Sequence, residues 1–269
     1  MLKALEKKLR HFRDERIFKP LARSKYGRRF YPADCHSVIL DLGDHLLAIN
    51  ADDRIISSEI RRSGGWFREE TSRVINAACA SRDVFVDVGA NIGTQTIYAL
   101  LFDGFDRAVC FEPHPKNRML LELNVKLNGL SDRVTVIGAA AGSAPGVAEL
   151  GISQTNGGGH SLSGPRDGGS VQVPVVTVES ALADLGIDRK QVGLAWIDVE
   201  GFEGQVIQGW PSLRGVPTCM EYTPQAANLS ANFFHGWTSW AELNSGSIQW
   251  KPISEIRLPA KGQMDLLLK

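Results

Sequence analysis

Along residues 84–142 the apolar positions alternate between two patterns. Short, nearly continuous runs (Val84-Phe85-Val86, Ala108-Val109-Cys110-Phe111 and the run around Val134) are separated by longer stretches of mixed character. A continuous run rich in valine reads as a strand buried on both faces, and the longer mixed stretches read as helices. The pattern predicts strand 84–88, helix 94–102, strand 107–111, helix 115–128 and strand 133–138. Strand–helix alternation of this kind makes an α/β fold, with a parallel sheet, right-handed crossovers and helices on both faces. Ligands of such sheets sit at the carboxyl ends of the strands, by the point where the strand order reverses.

The flanking segments follow the same logic. Apolar runs at 38–42 and 45–50 surround Gly43-Asp44 and predict a hairpin. Asp52 or Asp53 caps a helix through Ile60, Gly64-Gly65-Trp66-Phe67 breaks the chain, and a second helix covers 68–80. Trp66 either packs or faces a ligand. Residues 143–176 form an insertion with strands at 147–152 and 171–176. Between them runs Asn156-Gly157-Gly158-Gly159-His160-Ser161-Leu162-Ser163-Gly164, which suits a substrate-gating loop. His160 is a candidate acid or base in it. Strands at 194–197, 217–220 and 264–268 complete the set, and Trp237, Trp240 and Trp250 either line an acceptor pocket or pack. The expected organisation is a basic segment at 1–29, a hairpin-and-helix prelude at 30–83, and a main domain at 84–269.

Composition changes this picture in one place. The formal net charge is +0, so nothing global points to nucleic acid, and 43% hydrophobic residues suffice for a core. Residues 1–29, however, hold eleven basic and three acidic side chains, with Leu2, Leu5, Leu9 and Phe12 at helical spacing. Such a segment either docks its apolar stripe or stays disordered, or makes a peripheral contact with an anionic membrane. The four cysteines (35, 79, 110 and 219) form no C-x-x-C pair, so neither zinc nor a disulfide framework is indicated. No apolar run of membrane length or signal sequence is evident, which predicts a soluble, cytoplasmic protein.

Candidate chemistry gathers at two strand ends. The first strand runs into Asp87-Val88-Gly89-Ala90-Asn91-Ile92-Gly93-Thr94, a strand–turn–helix junction. Glycines there admit a ligand close to backbone, and the helix start presents free N–H groups. A dinucleotide is disfavoured because Asn91 stands where the pyrophosphate demands glycine, and no G-K-[ST] follows to make a P-loop. An acid beside a glycine turn suits a zwitterionic ligand. Glu112, at the end of the next strand, stands where ribose hydroxyls are held in such folds. Asn128 and Ala139 lie on the same rim and are candidates for contact with adenine. The second cluster is Trp196-Ile197-Asp198-Val199-Glu200-Gly201-Phe202-Glu203, joined by Glu221 after a later strand. Asp198, Glu200 and Glu221 are candidates for the reacting centre, whereas Glu203 suits a helix start.

VDVGANIG followed by FEP looks like the S-adenosylmethionine (SAM) site of a class I methyltransferase. With NGGGHSL, AWIDVEGFE and the late Glu221, the chain resembles the FkbM family of SAM-dependent methyltransferases over about residues 60–225. That resemblance implies a Rossmann-like fold with a mostly parallel seven-stranded sheet and O-methylation of a hydroxyl on a sugar, glycan or natural product. Within that reading Asp87, Gly89, Asn91, Gly93, Glu112, Asn128 and Ala139 are the candidates for the cofactor end, and Asp198, Glu200, Glu221 and His160 those for the chemistry. A cation held by Asp198 and Glu200 is compatible with paired carboxylates, but two carboxylates alone establish no metal. The alternatives are an inactive SAM-binding partner subunit and an N-methyltransferase. The Asp/Asn-Pro-Pro-aromatic motif of nucleic-acid N-methylation is absent.

Overall fold

The computed structural model describes residues 29–30, 37–79, 81–224, 234–243, 247–259 and 261–269. The basic stretch 1–28, with its apolar stripe, and Cys35 lie outside the described residues. Strands β1 (Arg29–Phe30), β2 (Ser37–Asp41) and β3 (Leu46–Asn50) form a small antiparallel sheet, with the expected hairpin joining β2 to β3. Helices α1 (Ile56–Ser63) and α2 (Arg68–Ala78) follow. The central alternation is β4 (Val84–Val88), α3 (Thr94–Leu101), β5 (Arg107–Phe111), α4 (Pro115–Leu127) and β6 (Val134–Ile137), within a residue or so of expectation at each end.

Next come β7 (Ala140–Ala141), β8 (Gly146–Gly151), β9 (Ser170–Val176) and α5 (Val178–Asp184). The chain ends through β10 (Val192–Ile197), α6 (Glu203–Gln208), β11 (Thr218–Tyr222), β12 (Ser239–Glu242), β13 (Lys251–Pro252) and β14 (Met264–Leu268). The main sheet has eight strands, in the order β13-β12-β14-β11-β10-β4-β5-β6. From β11 to β6 all pairs are parallel; β14, β12 and β13 are antiparallel additions. The expected seven becomes eight because the edge pair β12–β13 consists of short strands with no apolar run to announce them. Strands β7, β8 and β9 form a separate three-stranded sheet, so the insertion is a β-structure of its own.

Both faces of the main sheet are buried, as the valine runs require. Val84, Val86 and Val88 face one apolar layer with Val178, Leu182 and Trp210, while Phe85 and Cys110 face the other with Ile75, Tyr98 and Leu120. Trp237 and Trp240 are 3% and 4% exposed and belong to the first layer, and Trp250 packs at the edge of the second. All three tryptophans therefore pack, and none borders the main cavity. The chain leaves β4 toward β5 and β6, then returns on the other side of β4 as β10. That reversal opens a crevice at the carboxyl ends of β4 and β10.

One tie fixes the small sheet to the large one. Asn128 accepts from the Leu46 N–H at 3.0 Å and donates to the Leu46 carbonyl at 2.7 Å. One turn earlier, Asn124 does the same for Ala48 and also donates to the Ile92 carbonyl at 2.8 Å. Spaced four apart on α4, the two amides act as a surrogate neighbouring strand for β3. This corrects the expectation for Asn128. Its amide is spent on Leu46, away from the cavity.

Candidate functional site

A cavity of about 480 Å³ occupies the crevice. Asp87, Gly89, Asn91, Glu112, His160, Asp198, Glu200 and Glu221 all line it. Sequence reasoning from segments more than 100 residues apart thus converges on one space. Gly93 and Ala139 do not line it. A Cβ on Gly93 would lie 2.3 Å from Leu121 Cδ1, so this glycine serves the packing of α3 on α4. Ala139 is buried beside the cavity, and its successors Ala140 and Ala141 form the wall instead.

The glycine turn is held by the end of β5. The N–H groups of Gly89 and Ala90 both donate to the Phe111 carbonyl, at 3.0 and 3.1 Å. Glu112 accepts from the Asn91 N–H through Oε2 and from the His114 N–H through Oε1, each at 2.8 Å. Its carboxylate therefore braces the turn as well as facing the cavity, leaving further lone pairs for a ligand. Gly89 has φ +87°, and a Cβ there would fall 1.8 Å from the Asp198 carbonyl oxygen. The absence of a side chain lets the β4 turn close against the end of β10, where the Asp198 N–H donates to the Val88 carbonyl at 2.9 Å. Asp87 is 2% exposed and accepts from Thr96 Oγ1 at 2.6 Å. Burial pushes its pKa up to about 7 and that of Glu112 to about 8.

Opposite the turn lies a patch of acids. Carboxylate oxygens of Asp198, Glu200 and Glu221 come within 4.8 Å of one another, so the trio could offer a hard divalent cation its oxygens. Asp198 opens onto the cavity but has protein on its other sides. Desolvation, then the charges of Glu200, Glu203, Asp265 and Asp87, raise its pKa to about 8. Glu221 is raised to about 8 by the same desolvation and by the neighbouring acids. Glu200 is raised by burial and eased by the Arg166 charge. Glu203 begins α6 and accepts from the Gly201 N–H at 3.0 Å, as its place in the sequence suggested. Asp265 also lines the cavity, across the β11–β14 pair from Glu221. Sequence reasoning missed it because nothing in the chain tells which strand 264–268 pairs with.

The glycine-rich loop folds over the cavity and is pinned. The Gly157 N–H donates to Asp53 Oδ2 at 2.6 Å, and Asn117 donates to the Gly157 carbonyl at 2.7 Å. Ser161 Oγ donates to the Glu200 carbonyl at 2.7 Å and Ser163 Oγ to the Gly201 carbonyl at 2.6 Å. The loop thereby holds the acid turn, in which Glu200 has φ 52°. His160 Nδ1 accepts from the Ser153 N–H at 3.0 Å, and its ring meets His114 edge-on at 4.2 Å between centroids. Burial and the His114 charge push its pKa down to about 4. With Nδ1 occupied as an acceptor, the neutral ring carries its proton on Nε2 and presents a donor. This corrects the expectation of a histidine acid or base: near neutral pH the ring has no free basic nitrogen. Trp66 and Phe67, left open or unremarked in the sequence, also line the cavity.

The profile of the methyltransferase FkbM domain matches residues 87–243, more than half of the chain. Among solved structures, the methyltransferase FkbM from Methylobacillus flagellatus KT aligns at TM-score 0.44 with 15% identity, covering 70% of this chain and 44% of that one. This chain thus spans less than half of that protein. The C-terminal domain of precorrin-6Y C5,15-methyltransferase from Rhodobacter capsulatus aligns at 0.41 with 15% identity, over 74% of this chain and 86% of that one. Trm5 of Methanocaldococcus jannaschii, solved in complex with adenosine, aligns at 0.43 with 13% identity, over 88% and 55%. A search of the curated proteins finds no match.

Proposed function

The chain belongs to the FkbM methyltransferase domain family, and from that premise we propose that it moves the methyl group of SAM onto a hydroxyl oxygen of a small-molecule or glycan acceptor. One observation carries the reading: the glycine turn of β4 and the acid cluster after β10 and β11 face each other across a single cavity. The turn fits the cofactor. Gly89 lines the cavity beside the Asp87 and Glu112 carboxyls, and Asn91 Oδ1 is buried there without a hydrogen-bond partner. Asp87 and Gly89 are assigned to the amino-acid end and Glu112 to the ribose.

Bound there, SAM supplies a methyl carbon activated by a sulfonium. The protein's own task is alignment and proton removal. A hydroxyl is a weak nucleophile, and a base that takes its proton as the carbon–oxygen bond forms lowers the barrier. Asp198 is assigned as that base, because a carboxyl with pKa raised to about 8 holds a proton far better than one with the ordinary pKa of 3.8. The neighbouring Glu200 helps hold the Asp198 pKa up, Glu221 lines the same acid patch, and His160 donates from Nε2 to an acceptor oxygen. The loop bonds to the Glu200 and Gly201 carbonyls keep the acid turn in position.

Two measurements test this reading. Calorimetry with SAM and its demethylated product should show saturable binding. Asp198→Asn should retain that binding while lowering methyl transfer by about 10²-fold or more, the scale of a lost general base. Full transfer activity in the variant would leave positioning as the whole mechanism and remove Asp198 from the proton path.

A further inference from the structure

Three non-glycine residues among those described have positive φ: Phe67 at 55°, Asn91 at 51° and Glu200 at 52°. All three line the one cavity. Side chains disfavour this conformation, least for asparagine and strongly for bulky residues, and residues held in it collect at binding and catalytic sites. Asn91 belongs to the glycine turn and Glu200 to the acid turn. Phe67 has no such assignment, and the fold does not demand its side chain.

The backbone at residue 67 does have a structural role. Its carbonyl accepts from the Thr71 N–H and from Thr71 Oγ1, both at 2.8 Å, and so starts α2. Any residue supplies that carbonyl, and glycine or asparagine would adopt the φ more easily. The ring is half-exposed, at 50%, and meets Trp66 edge-on with centroids 4.8 Å apart. The segment beneath it is anchored, since the Trp66 N–H donates to the Tyr98 hydroxyl at 3.2 Å. Ile55, 49% exposed, also lines the cavity. Among the described residues, the other large apolar side chains left exposed (Met119, Val147 and Leu185) do not line the cavity. Single exposed apolar residues are ordinary, but two lining one cavity, one of them held against its conformational preference, mark a surface kept free for a ligand.

We propose that Phe67, with Ile55 and Trp66, recognises the acceptor, and that the acceptor carries its hydroxyl on an apolar body, an alkyl chain or aromatic ring, rather than on a bare sugar. The inference rests on the methyl-transfer reading and narrows its acceptor. The apolar body lies on the Phe67 surface while the hydroxyl points toward the acids. Asp198, Glu200, Glu221 and Asp265 at that inner end disfavour an acceptor bearing phosphate or carboxylate beside the reacting oxygen.

The test uses the full chain without methyl donor. The probes are straight-chain alcohols from butanol to octanol, with methyl β-glucoside as the polar counterpart, read by calorimetry and tryptophan emission. Affinity is expected to rise about fourfold per added CH₂, with the glucoside weaker than hexanol. Phe67→Asn, which suits the left-handed backbone, should cut that increment to about twofold or less while the melting temperature holds or rises. A lowered melting temperature with unchanged alcohol affinity would show a structural phenylalanine and overturn the proposal. So would a wild type indifferent to chain length, or one that prefers the glucoside. If Phe67→Asn does not fold, Ile55→Ser, at an exposed position, is judged by the same increment. SAM binding measured on the same samples separates the two readings. Intact SAM binding without alcohol selectivity sinks only the acceptor inference, whereas absent SAM binding sinks the methyl-transfer reading itself.

Discussion

Replacing Asp198 by asparagine is expected to make the protein more stable at pH 8 even as it loses activity. The carboxyl moves from an ordinary pKa of 3.8 to about 8 in the folded protein, through desolvation first and then the surrounding acids. Below pH 4 both folded and unfolded chains hold the proton, and the site carries no penalty from this group. Between pH 4 and 8 the folded state binds more protons than the unfolded one, so wild-type stability falls as pH rises through that window. Asparagine is neutral throughout and escapes the penalty. Four decades of proton affinity set a ceiling of about 5–6 kcal/mol. Because the side chain opens onto cavity water, screening reduces this to roughly 1–2 kcal/mol. For a large single domain that corresponds to a melting temperature about 2–8 °C higher in Asp198→Asn at pH 8, with the two proteins converging near pH 4. Thermal melts across pH 4–9, followed by far-ultraviolet dichroism, measure it. A variant that melts at or below the wild type at pH 8 would refute the reasoning. It would mean that the Asp198 charge is used in the resting protein, by a bound cation or by a hydrogen bond that the amide cannot make.

The same carboxyl should govern the pH profile. Wild-type kcat/KM should rise with pH up to about 8 as Asp198 loses its proton, and Asp198→Asn should flatten that limb. Gly89→Ala forces a Cβ to 1.8 Å from the Asp198 carbonyl at φ +87°. The left-handed backbone costs about 1–2 kcal/mol and the overlap about 1–3 more; thermal melts should drop by 5 °C or more, roughly, at the usual conversion, and an unchanged melt would mean that the turn relaxes freely. Asn128→Ala should leave SAM affinity unchanged in calorimetry, since its amide serves Leu46; a weakened affinity would restore it to the cofactor site.

The sequence alone determined the sheet and its binding edge. Short valine-rich runs bounded by turn residues read as strands buried on both faces, and their alternation with helices points to a parallel sheet with its ligand edge at the strand ends. That is why Asp87, Gly89, Glu112, Asp198 and Glu221, all at strand ends, were legible as one site. Residues whose role depends on a partner far along the chain were not. Asn128 looked like a rim residue, yet its helix presents it to β3, 82 residues away. Asp265 joined the acids only because β14 inserts antiparallel beside β11, a pairing that no local pattern encodes. His160 offered both nitrogens to the imagination until the loop turned Nδ1 toward the Ser153 N–H. Phe67 read only as part of a chain break, since a backbone dihedral and a half-exposed ring exist only in three dimensions. Local pattern fixes periodicity and strand ends; long-range packing alone decides which side chains meet, and burial among them decides their charge.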